Sequence, residues 1–433
     1  MLLQKNKYDV VINAGGLGTR LSTLYKGLPK ALVPVFEKPV LIDQIDKFID
    51  QGFHNFHILL GHKSEQIREA LEKEYNSSEI SIKFLIETEP LGSGGSLMVH
   101  LQQLPDEFIF TYCDIYFDLD ITKMIEFHET NGSAMTILVH PNDHPYDSDL
   151  VSVNSSNLVD FLKPHPHTEM DFTGNLVNAA FYILSKSCLL NLRGVSGVQD
   201  VAQNIIPKIL SHHDVYAYRT IEFLKDMGTP GRLEKVRQNY NKRFCTAGEN
   251  KIICLDRDGT LNKCKDREYI TRLEQFELID GVSEAISIFR KLGFFVVCVT
   301  NQPVIARGDI DIAELDKIHT KMDWLLGDKN AYLDGLFYCP HHTDTGFPGE
   351  IVELKIECDC RKPKTGLLDQ VMDFIPFKRS ESWFVGDSWR DIQCGQSYGM
   401  RTCSVDTSNL GGDMNVENLL QFANQLQQVE ECL

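Results

Sequence analysis

Two aspartates two residues apart, Asp256 and Asp258, leave the apolar run IICL at residues 252–255 in the segment DRDGTLN. Acids at i and i+2 just past a buried strand both project from its C-terminal edge, which in a parallel sheet is the ligand side. One can attack a phosphorus atom while the other donates and then recovers a proton, and Gly259 allows the sharp turn between them. The acidic spacing that a hand-type calcium loop needs does not follow. Three further sets come in order: Thr300 and Asn301 in CVTN, Arg361, Lys362 and Lys364 in CRKPKTG, and Asp387 and Asp391 in WFVGDSWRD.

A second chemical group is Cys339-x-His341 followed by Cys358-x-Cys360. Four soft or borderline ligands at this spacing suit tetrahedral zinc with no open position, a structural staple for a loop too polar to pack alone. His342 is the alternative to His341. The alternative to a metal site is two unrelated pairs of reduced cysteines. Arg307 in NQPVIARG, with Arg361, suits a second phosphate on a substrate.

The third group follows the first apolar run of the chain. AGGLGTRL, Ala14–Leu21, holds Gly15, Gly16 and Gly18, which let backbone N–H groups approach a phosphate chain. It fits neither the lysine-bearing Walker pattern nor the dinucleotide fingerprint. In the continuation GTRLSTLYKGLPKALVPV, Arg20 and Lys30 can neutralise a triphosphate, and Pro29 fixes the backbone ahead of Lys30.

The elements that must position these groups alternate throughout. β-rich runs at 8–13, 55–60, 80–86, 107–113 and 134–140 are separated by segments of helical period at 40–51, 64–73 and 121–130, the pattern of parallel α/β sheets. Apolar density dips near 241–249 and the pattern restarts, with strands expected at 252–256, 294–299, 334–338 and 382–385 and a polar helix at 415–430. Two α/β domains are expected, 1–242 and 249–433. A chain of 433 residues also exceeds one ordinary core.

Composition narrows the partners. Lys+Arg 43 against Asp+Glu 61 gives a net charge of −18, a poor balance for nucleic acid or a membrane surface, so small-molecule substrates are expected, with a homo-oligomer left open. No apolar run approaches the roughly 20 residues of a membrane span. The N-terminus has no secretory apolar region, and the 12 cysteines read as reduced, which points to the cytoplasm.

The N-terminal loop and its continuation resemble the sugar-1-phosphate nucleotidylyltransferase family, with its GGxGTRL loop and PKxxxPV segment. The resemblance spans about residues 8–240 and implies a Rossmann-like fold. It implies nucleotide or sugar contacts from Gly15, Gly16, Gly18, Thr19, Glu89, Gly92, Lys163 and Asn178, catalytic roles for Arg20 and Lys30, and Mg²⁺ held by Asp114 and Asp226. Ser22, Thr23, Tyr25 and Leu162 depart from the common pattern. Within the family the loop looks most like the heptose-1-phosphate guanylyltransferase branch.

Residues 250–405 resemble the haloacid-dehalogenase superfamily, all four of whose motifs are present. The resemblance implies a Rossmannoid fold with Asp256 as nucleophile and Asp258 as general acid/base. It gives Thr300, Asn301 and Lys362 phosphoryl or substrate contacts, and forms a Mg²⁺ site from Asp256, the Asp258 carbonyl and Asp387, supported by Asp391. NQPVIARG, CRKPK and the Cys/His insert resemble the zinc-containing histidinol-phosphate and heptose-1,7-bisphosphate phosphatases, and the two arginines favour the latter. Ser388 stands where Lys or Arg is usual, with Arg390 near by. Together the halves imply two consecutive steps toward GDP-D-glycero-α-D-manno-heptose. The alternatives are the same reactions on a hexose, octose or other phosphate with CTP, ATP or UTP, or an N-terminal domain that only senses ligand.

Overall fold

The computed structural model describes residues 7–431 apart from 17, 19, 22–23, 77–78, 143–144, 146–147, 155, 166–173, 193–195, 244–249, 265–268 and 406–409. The chain divides into two compact units. One comprises residues 1–140, 148–167 and 176–243; the other comprises 141–147, 168–175 and 244–433.

The first unit is built on a mixed sheet whose strands run 215–219, 135–141, 176–185, 107–112, 9–13, 55–60 and 81–86 from edge to edge. The strand Asp9–Asn13 pairs in parallel with Asn55–Leu60 on one side and Glu107–Tyr112 on the other. Its centre must be apolar on both faces, because helices cover both. Val10 and Ile12 pack into one buried cluster with Leu41, Ile45 and Phe48, while Val11 packs into the opposite cluster with Leu97 and Phe110. From Asn13 the chain builds outward through 55–60 and 81–86, then returns to the other side of the first strand as 107–112. Successive connections therefore diverge at the C-terminal ends of 9–13 and 107–112, and that divergence opens a crevice. A separate two-stranded ribbon pairs Ile115–Asp118 with Phe223–Asp226 antiparallel.

The second unit repeats the logic with an all-parallel six-stranded sheet in the order 335–339, 295–301, 252–255, 383–386, 401–404 and 414–415. Ile252–Leu255 is buried at every position. The chain leaves it for 295–301 and 335–339, then crosses back to 383–386 on the other side. Asp256 is thus delivered to the second point of divergence. Helices Val282–Lys291 and Leu419–Glu431 share one face, where Phe422 meets Phe289 and Trp383 edge-on or tilted at centroid distances of 5.6 and 5.1 Å.

Candidate active sites

In the phosphatase-like unit the four motifs meet around one ammonium. Lys362 Nζ lies 2.8 Å from Asp256 Oδ1 and 2.6 Å from Asp391 Oδ1, and donates to the Val299 carbonyl at 2.8 Å. Burial alone would lower the Lys362 pKa, but the charges of Asp256 and Asp391 outweigh it and hold the group protonated. Burial pushes the Asp256 carboxyl up to about 7 even though Lys362 pulls it down, and Asp391 adds to the rise. Asn301 fastens the Lys362 backbone, with Lys362 N donating to Asn301 Oδ1 at 3.0 Å and Asn301 Nδ2 to the Lys362 carbonyl at 3.1 Å. Asp391 is fully buried and caps its own helix, accepting from Ser388 N and Oγ at 3.0 and 2.7 Å. Asn301 and Asp391 therefore build the position of Lys362.

Carboxylate oxygens of Asp256, Asp387 and Asp391 all lie within 4.8 Å of one another. Asp391 spends both oxygens on Ser388 and Lys362, which leaves Asp256 and Asp387 as the carboxylates suited to a hard divalent cation. Gly259 makes their approach feasible. Its φ is +86°, and a Cβ there would stand 2.1 Å from Asp387 Oδ2.

Asp258 is held by residues that the motif reading passed over. Arg257 Nη2 donates to both of its oxygens at 2.9 Å, Asn262 Nδ2 to Oδ1 at 3.1 Å, and Gln302 Nε2 to Oδ2 at 2.9 Å. Gln302 also reaches Thr300 Oγ1 at 3.0 Å. Arg257, Asn262 and Gln302 stand inside DRDGTLN and NQPVIARG, but a sequence does not say which way they turn.

The Cys/His set converges. Cys339 Sγ, His341 Nδ1, Cys358 Sγ and Cys360 Sγ lie within 4.8 Å of one another, with sulfur–sulfur distances of 3.2 to 3.6 Å. A zinc tetrahedron with bonds of about 2.3 Å has edges of about 3.8 Å, so the four donors fit such an ion with slight expansion. His342 lies outside the set, against Arg307 Nη2 at 3.1 Å. Arg361 Nη1 donates to the His341 carbonyl at 3.1 Å, so the loop anchors both arginines singled out for a second phosphate. Lys364 is exposed and pairs with Glu357, and Arg390 stacks on Trp389.

In the first unit the antiparallel ribbon places Asp226 opposite Ile115 and so beside Asp114, and Met227 N donates to the Asp114 carbonyl at 2.9 Å. Lys30 Nζ is ion-paired with Asp114, and Asp226 with Arg232. Burial opposes the Lys30 charge, but Asp114 and other acids more than restore it and its pKa is raised. A Cβ at Gly228 would lie 2.8 Å from Asp226 Oδ1, 3.1 Å from Lys30 Nζ and 3.4 Å from Asp114 Oδ2, so all three converge on one glycine. Buried Gln44 donates to the carbonyls of Tyr112 and Ile115, bracketing Asp114, and Arg237 ties down Val35, Pro34 and Tyr25 beyond Lys30.

The glycine loop closes on the same place. Gly18 has φ +62°, and a Cβ there would be 2.9 Å from Lys30 Cβ. Gly15 N donates to Asn13 Oδ1 at 3.2 Å, Gly16 is exposed, and Arg20 is exposed at the turn. Thr19, Ser22 and Thr23 lie outside the described residues. Glu89 is exposed. Glu87, two residues earlier, faces the glycine loop, since its Oε1 would be 3.0 Å from a Cβ at Gly15. Gly92 opens the helix Gly92–Val99, and a Cβ there would lie 2.4 Å from the Gln199 carbonyl, a close backbone approach within the fold. Asn178 Oδ1 accepts from Ala180 N at 3.1 Å within the strand Leu176–Ser185, and Lys163 ends Val159–Lys163 opposite Leu150.

Residues 9–243, more than half the chain, match the nucleotidyl transferase family, and residues 359–424 match the HAD-hydrolase-like family. The D-glycero-beta-D-manno-heptose-1,7-bisphosphate 7-phosphatase of Salmonella typhi is 41% identical over 150 residues, 35% of this chain and 77% of that protein. Its Escherichia coli K12 counterpart is 43% identical over 141 residues, 33% of this chain and 71% of that protein. The chain belongs to the nucleotidyl transferase family and, through its C-terminal part, to this phosphatase family. Among solved structures, HddC from Yersinia pseudotuberculosis aligns with 54% of this chain and 99% of its own at 27% identity and a TM-score of 0.47. The protein is an enzyme with two activities, a nucleotidyl transferase unit followed by a phosphatase unit. No helix among the described residues is long and apolar enough to cross a membrane.

Proposed function

We propose that residues 249–433 remove the 7-phosphate of D-glycero-D-manno-heptose 1,7-bisphosphate and that residues 1–242 transfer GMP from GTP to the resulting heptose 1-phosphate, giving GDP-heptose and pyrophosphate. The observation that carries this reading is the 41–43% identity of the phosphatase unit to enzymes named for that bisphosphate, on one chain with a nucleotidyl transferase. The first reaction makes a sugar 1-phosphate, the class of acceptor the second consumes. GTP as donor rests on the likeness of the glycine loop and PKALVPV to guanylyltransferases. A cytoplasmic setting supplies GTP and keeps the cysteines reduced.

In the phosphatase unit an Asp256 oxygen attacks the 7-phosphorus, the bond from phosphorus to the sugar oxygen breaks, and that oxygen takes a proton from Asp258. Water then attacks the aspartyl-phosphate, gives a proton to Asp258, and releases phosphate and the Asp256 carboxylate. Lys362 and Thr300 hold phosphoryl oxygens, while Arg307 and Arg361 hold the 1-phosphate. Asp256, Asp387 and the Asp258 carbonyl would hold Mg²⁺, which supplies charge neutralisation when bound. Cys339, His341, Cys358 and Cys360 would hold structural zinc.

In the transferase unit the sugar phosphate oxygen attacks the α-phosphorus of GTP and pyrophosphate leaves in line. No protein nucleophile is needed, so the chain's work is to position and to neutralise. Gly15, Gly16 and Gly18 offer backbone donors, Lys30 and Arg20 face the triphosphate, and Asp114 and Asp226 would hold Mg²⁺. The test is a screen of four nucleoside triphosphates against heptose and hexose 1-phosphates, with both anomers of the bisphosphate offered to the phosphatase. Pyrophosphate release with GTP and heptose 1-phosphate above all other pairs is expected; a hexose or another base in first place would replace the pathway.

A further inference from the structure

We propose that Arg257 and His319 form a positioning pair for Asp258 in the phosphatase unit, an inference that rests on the acid/base reading of Asp258 given above. Asp258 sits on a tight turn in which the N–H groups of Thr260, Leu261 and Asn262 all donate to the Arg257 carbonyl at 2.8–3.3 Å. That turn fixes the backbone of Asp258 and leaves its side-chain rotamer to be fixed by something else. Arg257 does so: Nε reaches Oδ1 at 3.1 Å and Nη2 reaches both oxygens at 2.9 Å. A planar fork held at this many points sets the direction of a carboxylate, which the single point charge of a lysine cannot do.

The fork in turn needs an anchor, because the Arg257 side chain has no exposure at all. Its remaining end, Nη1, meets His319 Nε2 at 3.1 Å. Since a guanidinium can only donate, Nε2 must be the bare nitrogen of a neutral ring with its proton on Nδ1. Burial, and then the Arg257 charge, hold the His319 pKa far below its usual value, which keeps the ring neutral.

The location of His319 is set by its helix. Ile312–Gly327 starts at an Asp311–Glu314 capping box and buries Leu315, Ile318, Met322 and Leu326. His319 stands among these apolar positions and is 7% exposed. A lone imidazole on such a face is costly unless it is bonded, and its bond goes to Arg257. The chain His319–Arg257–Asp258 thus runs from the helix to the carboxyl group that must meet a leaving oxygen within a few tenths of an ångström.

The test separates positioning from folding by leaving-group chemistry. A sugar oxygen needs a proton to depart and p-nitrophenolate does not, so only the sugar substrate reads the placement of Asp258. His319→Leu leaves Arg257 Nη1 without an acceptor, whereas His319→Gln can still accept from it. We expect His319→Leu to slow kcat for the heptose bisphosphate by about 10–100-fold, less than the loss of the acid/base itself. With p-nitrophenyl phosphate in excess, the pre-steady-state burst of nitrophenolate should keep its rate within about threefold, its amplitude counting folded sites, and His319→Gln should recover most of the lost rate on the sugar substrate. Equal losses on both substrates in the folded fraction, no loss on either, or no recovery with Gln would overturn the pair. Asp258→Asn must show the same selectivity for the sugar substrate. If it does not, the acid/base reading fails and the pair's role fails with it; if it does while His319→Leu does not, the pair alone fails.

Discussion

The two sites stand at the same place in two α/β sheets, the point where connections diverge, yet their charges are handled differently. In the phosphatase unit the central ion pairs are shut away: the side chains of Lys362, Asp391 and Asp256 are 3%, 0% and 13% exposed. In the transferase unit Lys30 and Asp114 are 15% and 17% exposed, and Asp226 and Arg232 about a third. The proposed attack of Asp256 on phosphorus accounts for the first arrangement. A carboxylate that must attack phosphorus is best stripped of water and held by one buried cation. The proposed direct transfer between two bound substrates accounts for the second, where partly exposed charges can balance those of a bound triphosphate.

Breaking the nucleophile should have the largest effect. Asp256→Asn cannot form the phospho-enzyme, so release of phosphate from the bisphosphate should fall by at least about 10⁴-fold, while pyrophosphate release from GTP and heptose 1-phosphate changes less than about twofold. Next comes Lys30→Met, which removes the cation between the glycine loop and Asp114. Pyrophosphate release should drop by about 10²–10³-fold with phosphate release untouched, as read by paired assays on one preparation.

Gly259→Ala sharpens the comparison because it alters no charged group. Its Cβ would collide with Asp387 at 2.1 Å and demands a strained positive φ, so kcat for the phosphatase should fall by about 10–100-fold through displacement of that carboxylate. The smallest effect is expected from the staple. Cys358→Ala, or chelation of the wild type, should abolish bound zinc, measured by elemental analysis, and raise the phosphatase KM about tenfold, because Arg307 and Arg361 rest on that loop. Less than about half an equivalent of zinc in protein expressed with adequate metal would count against the site.

Much of this was legible from residues alone. The alternation of apolar strands with helical segments announced the all-parallel sheet of the second unit and the parallel core of the first, because a strand covered on both faces must be apolar throughout, as Val10–Ile12 and Ile252–Leu255 are. It missed that Leu176–Ser185 joins the first sheet antiparallel to Glu107–Tyr112. DRDGTLN and the CxH…CxC spacing were readable because they are local, and the backbone fixes where neighbouring side chains go. What stayed hidden is contact across long sequence separation. Arg257 meets His319 62 residues away, and Lys362 reaches Asn301 61 residues away. Glu87, just past the strand Ser81–Ile86, faces Gly15 from 72 residues away, a contact the sequence does not announce.

The most direct measurement of the central claim follows one sugar through both sites. Full-length protein given heptose 1,7-bisphosphate and GTP should yield GDP-heptose, with free phosphate appearing before or together with pyrophosphate. Asp256→Asn should stall at the bisphosphate and Asp114→Asn at heptose 1-phosphate, and mixing the two variants should restore product by diffusion of the intermediate. Accumulation of a 7-phosphorylated GDP-heptose would reverse the proposed order. Turnover of another phosphosugar with neither heptose compound consumed would contradict the two-step account.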